Sequence, residues 1–97
     1  MKEFQELKVG DKLYKHVYSK NEEIPKLSGI IPKEILEVTD LGNVMGFVLA
    51  DKDGKAMPKI IFLDKNQRWE QVKGSLSVWS TEDKKERYAE MLKLKGE

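Results

Sequence analysis

Apolar and polar positions alternate through Leu13-Tyr14-Lys15-His16-Val17-Tyr18, and the run is rich in residues that suit a pleated strand. Similar runs follow at Glu34 to Thr39, Val44 to Ala50, Pro58 to Leu63 and Arg68 to Val72, with a sixth at Leu76 to Trp79. Turn signals separate them: Val9-Gly10-Asp11-Lys12, Asp40-Leu41-Gly42-Asn43, Asp51-Lys52-Asp53-Gly54-Lys55 and Asp64-Lys65-Asn66-Gln67. Gly46 inside the third strand marks a bulge or a close backbone approach. Phe4 to Val9 reads as either a short helical turn or an extended arm.

Two stretches break the alternation. Ser19 to Pro32 holds Asn21, Pro25, Ser28, Gly29 and Pro32, and its prolines argue for a long irregular loop. From Ser80 onward the spacing predicts a helix over 80–96. Ser80 stands at the cap with Asp83 three residues later, Tyr88, Met91 and Leu92 form a narrow apolar stripe, and Gly96 follows the last turn. The helix carries five acidic and five basic residues between Thr81 and Glu97, too mixed a face for membrane insertion. The reading is therefore one domain over 1–97, with a mainly β part (8–79) and a C-terminal α-helix. The β part is a small five- to six-stranded antiparallel barrel or curled sheet.

Composition narrows the functional classes. Of 97 residues, 39% are hydrophobic and 36% charged with a net charge of +1, which excludes a disordered chain. The absence of cysteine excludes disulfides, thiol nucleophiles and zinc–thiolate sites, and favours a cytoplasmic setting. No signal segment opens the chain, and the longest apolar runs, Phe47-Val48-Leu49-Ala50 and Ile60-Ile61-Phe62-Leu63, fall far short of a membrane span.

Val9-Gly10-Asp11-Lys12-Leu13-Tyr14, a long loop, Glu34-Ile35-Leu36-Glu37-Val38 and a run of hairpins together resemble an SH3-like or Tudor-like small barrel over residues 8 to 73. The resemblance is one of fold and assigns no functional residues. It implies a binding module for peptides, modified side chains or nucleic acid.

No catalytic or cofactor motif is present. His16 is the one histidine, no nucleophile elbow accompanies it, and the glycines form no phosphate cradle. Asp51-Lys52-Asp53-Gly54 lacks the ligand spacing of a calcium loop, whose twelfth position here is Phe62. The expectation is no enzyme, no cofactor and no metal.

Three binding readings remain. The first is a protein-binding module, a small inhibitor or accessory protein of the kind carried by phages and other mobile elements. Tyr14, His16 and Tyr18 share one face of the first strand. If Leu13 and Val17 point inward, the favoured arrangement, the tyrosines form an exposed strip suited to anchoring a partner. If the tyrosines point inward they are core. Glu22 and Glu23 head an acidic stretch, 21–40, with five acids against two lysines, which suits a basic partner. The second reading is nucleic-acid binding through Lys52, Lys55, Lys59, Lys65, Arg68 and Trp69, if the third, fourth and fifth strands set them on one face. Only two of the 18 basic residues are arginine and the pI is about 7.9, both weak for such a role. The third is a small-molecule pocket in an oligomer. An unpaired edge strand would permit a homodimer. The strand-one tyrosines and the loop beside them are the preferred site.

Overall fold

The computed structural model describes residues 2–19, 26–72 and 74–82. Six strands form one antiparallel sheet: β1 (Lys12–Ser19), β2 (Lys26–Asp40), β3 (Val44–Leu49), β4 (Ile61–Asp64), β5 (Trp69–Gln71) and β6 (Val78–Ser80). Their spatial order is β4-β3-β2-β1-β6-β5, curled into a nearly closed barrel consistent with an SH3-like fold in general. Among the described residues the one helical piece is a 3-10 turn at Phe4–Glu6. The helix expected over 80–96 has its body outside the described residues. Its first residue, Ser80, ends β6, and its hydroxyl accepts the Glu82 N–H at 3.1 Å.

β2 is the strand that makes the barrel. Its first half pairs with β1 and its second half with β3. The handover falls at Ile35, whose N–H donates to Asp11 O at 2.9 Å while the neighbouring Glu34 O accepts from Ala50 N–H at 2.9 Å. The sequence reading placed an irregular loop up to Pro32, yet 26–32 is strand. The Ile35–Asp11 bond sets the phase of the ladder, so the odd-numbered residues of β2 exchange bonds with β1. Pro32 falls between them, opposite Tyr14, and its missing N–H lies on the side where β3 has not yet begun. Proline is tolerated there because no ladder bond is lost.

The barrel interior holds Phe4, Leu7, Leu13, Ile35, Met45, Phe47, Leu49, Leu63 and Trp79. Phe4 arrives from the N-terminal turn as a plug. Its N–H donates to Gln67 O at 2.8 Å, and its ring meets Phe47 edge-on with centroids 6.5 Å apart. Lys15 lies on the same face of β1 as Leu13, with its Nζ 5.8 Å from the centre of the Trp79 ring.

The other face of β1 is buried too, which corrects the expected tyrosine strip. Tyr18 is 6% exposed and packs with Val78, Leu27, Trp69 and Leu76 in a second apolar cluster. His16 is 0% exposed and Tyr14 half-buried, while Val17, expected inside, is only half-buried. Strict alternation fails because β1 is covered from both sides.

The barrel does not close between β4 and β5. These consecutive strands end the sheet on opposite sides and meet at a seam. One end of the seam is fastened: Glu70 Oε1 accepts the Asp64 N–H at 3.0 Å, and Gln67 N–H reaches Asp64 O at 3.2 Å.

Candidate functional site

β2, β3 and β4 turn alternate side chains away from the core. Met45, Phe47, Leu49 and Leu63 point inward, so their neighbours point outward. The register then builds two rows across the outer face. Thr39 stands opposite Gly46 and Gly46 opposite Phe62; Glu37 stands opposite Val48, and the same register carried one residue beyond β4 brings Ile60 beside Val48. At the centre Gly46 leaves a notch. A Cβ built there would lie 3.5 Å from both Ile60 Cγ2 and Phe62 Cε1, so both side chains lean over the glycine.

Leu41 joins this face from the turn between β2 and β3. That turn is held by Leu41 N–H to Val44 O at 2.9 Å and by Gly42 N–H to the Asp40 carboxylate at 2.9 Å. Gly42 has φ +95°, which a residue with a side chain adopts with strain. The carboxyl of Asp40 is held below its ordinary value by the Gly42 N–H and then by the Lys65 ammonium, 3.5 Å away.

The result is a groove of about 460 Å³ lined by Glu37, Thr39, Leu41, Gly46, Val48, Ile60 and Phe62. Phe62 is 54% exposed, Leu41 53% and Ile60 46%. Neighbouring apolar side chains left this open mark a contact surface more often than scattered single ones do. Glu37 is the one charged residue lining it. A second cavity, about 320 Å³, lies in the seam between β4 and β5 and reaches Leu63, Val72 and Trp79 of the interior; it shares Ile60 and Phe62 with the groove.

The residues singled out from sequence lie elsewhere. His16 Nε2 is 2.7 Å from Glu82 O; since a carbonyl only accepts, Nε2 carries the proton and donates. Glu22 and Glu23 lie outside the described residues. The basic residues do not gather on one face, because β4 and β5 are not paired and β3 separates the others. Lys52, Lys55 and Lys59 are exposed on the connection from β3 to β4. Lys65 lies at the other end of β3, whose six residues span on the order of 20 Å, and is paired with Asp40. Arg68 is exposed on that side, and Trp69 packs in the second apolar cluster. The Asp51 loop is a hairpin connection as expected: the Asp51 carboxylate accepts the N–H groups of Asp53 and Lys55 at 2.8 and 3.0 Å. Among the described residues no three potential metal ligands cluster, and no helix is long and apolar enough to cross a membrane.

Leu41, Val48, Ile60 and Phe62 were missed as a site, although the sequence holds their signal. Phe47-Val48-Leu49-Ala50 and Ile60-Ile61-Phe62-Leu63 are unbroken apolar runs on strands. A strand that is apolar at every position is apolar on both faces, so where one face fills a barrel the other greets solvent. Comparison of the chain with protein-family models, with curated proteins and with solved structures finds no match in any of the three.

Proposed function

We propose that this chain is a non-enzymatic protein-binding module whose partner docks on the outer face of β2, β3 and β4. The observation that carries this reading is the exposure of Phe62, Leu41 and Ile60 around one groove. An aromatic ring at the centre of an apolar patch, with polar Thr39 and Glu37 at its side, has the make-up of an interface anchor and its rim. The charge argues for a polypeptide over a nucleic acid, because the lining charge is the carboxylate of Glu37, which repels phosphate. It suits a partner that presents an apolar anchor beside a Lys or Arg.

The test is photo-crosslinking in a cell lysate with benzoylphenylalanine in place of Phe62, which keeps an aromatic ring there, and in place of Tyr14 as the comparison. The expected result is a discrete protein adduct from position 62 that Leu41→Glu removes without lowering the melting temperature. A protein captured equally well by the Leu41→Glu variant, or crosslinked from position 14 alone, would overturn the assignment.

A further inference from the structure

We infer that β4 takes up an extended peptide segment as an added strand at the open end of the β4–β5 seam. The segment is apolar at alternate positions and acidic at the end that meets Lys59. This rests on the protein-binding reading and names the mode of docking.

The phase of the β3–β4 ladder comes first. Lys65 N–H bonds Asn43 O at 3.3 Å, so odd-numbered residues on this side of the hairpin turn their backbone groups toward β3. Asp64 N–H points the other way and is satisfied by Glu70 Oε1. By the same alternation, the N–H and C=O of Phe62 face the seam. β4 has β3 on one side and, among the described residues, no strand paired on the other. These groups are a template for a further strand, the mode in which peptides join sheet edges.

The surroundings fit such a strand on both of its faces. Successive side chains of an added strand point to opposite sides. On one side they would enter the seam cavity, floored by Leu63, Val72 and Trp79. On the other they would lie beside Ile60 and Phe62, which border both cavities. A short edge strand with Pro58 and Lys59 before it is also how proteins blunt an edge against self-pairing. A merely blunted edge has no need of an apolar cavity leading into the core.

Charge sets the direction. The Asp64 end is fastened by Glu70, so the segment meets the seam at the Ile60 end. There Lys59 is exposed and lines the cavity, whose other charged lining residue, Glu70, is engaged at the far end with the Asp64 N–H. The Lys59 ammonium at the open end complements an acidic flank.

The experiment selects binders from a displayed library of random peptides about ten residues long, then synthesises the strongest and a version N-methylated at alternate amides. Amide chemical shifts of the labelled domain are followed on titration. The expected result is selection of alternating apolar segments with an acidic end, a large shift at the Phe62 amide, and binding weakened at least about tenfold, on the order of 1.4 kcal/mol, by N-methylation. Lys59→Glu should weaken the same peptide several-fold. Equal binding of the N-methylated peptide, or shifts confined to Leu41 and Val48, overturns strand addition while leaving the outer-face reading intact. Failure to select any peptide while position 62 still crosslinks a protein has the same meaning. Loss of both removes the underlying reading as well, and peptide-free dimerisation that shields the Phe62 amide replaces the peptide with a second copy.

Discussion

Glu70 on β5 accepts the backbone N–H of Asp64 on β4 at 3.0 Å, so a side-chain carboxylate stands where a neighbouring strand's carbonyl would be. This bond fastens one end of a seam that the sheet leaves open. Replacing Glu70 by Ala strands a partly buried N–H, at a cost of about 1–3 kcal/mol. Glu70→Gln keeps an acceptor oxygen and should recover most of the loss. Urea denaturation checks the ordering, and hydrogen exchange at the Asp64 amide should quicken in the Ala variant far more than in the Gln variant. Equal stability of Ala and wild type would show that the seam is held by packing alone.

Phe4 is the residue whose loss the barrel should tolerate least. It is fully buried, contributes its ring to Phe47 and fastens the N-terminal turn to the β4–β5 turn through the Gln67 carbonyl. Phe4→Ala removes the plug and leaves a cavity, costing about 3–5 kcal/mol. That is a large share of the stability of a typical domain, about 5–15 kcal/mol, so the melting temperature should fall steeply. A small change would mean that the turn does not seat in the barrel in solution.

The strands were legible because each is a local pattern between turn residues. All six expected runs contain or overlap an observed strand, from Leu13–Tyr18 inside β1 to Val78–Trp79 inside β6. What escaped depended on which neighbours a strand has. Pro32 read as a breaker, yet the ladder phase places its nitrogen on an unpaired side. Tyr18 and His16 read as outward because Leu13 is inward, yet a second layer covers them. The site was hidden for the same reason: Phe62 and Val48 look like core until Leu63 and Phe47 are seen to fill the interior.

Gly46 separates stability from binding at the proposed surface. Its backbone is not in the left-handed region, and an added Cβ would make ordinary contacts at 3.5 Å with Ile60 and Phe62. Gly46→Ala should therefore raise stability by about 0.4–1 kcal/mol, since the unfolded chain loses freedom. It also fills the notch under the groove, so capture of the partner should fall while the melting temperature rises. A variant gaining stability with capture unchanged would place the contact away from the centre of the groove.

Acid should loosen the Leu41 turn before it unfolds the barrel. Asp40 and Asp11 have carboxyls held below the ordinary 3.8, Asp40 by the Gly42 N–H and then Lys65, Asp11 by the Lys8 N–H and then Lys2. Both are solvent-exposed groups, so each contribution is small and salt-sensitive. The sign follows from linkage. With the folded value below the unfolded one, the stabilisation is fully present above the unfolded value near 3.8. It is lost as pH falls through the lower folded value, because the unfolded chain takes up its proton first. The urea midpoint of the wild type should then decline below about pH 4, and its advantage over Asp40→Asn should shrink over the same interval. In Asp40→Asn the side-chain oxygen still accepts the Gly42 N–H, so the difference reports the carboxylate's charge toward that N–H and toward Lys65, and added salt should reduce the Lys65 part near neutral pH. An advantage that grew on acidification would mean that Asp40 is held protonated in the folded state, contrary to the contacts around it.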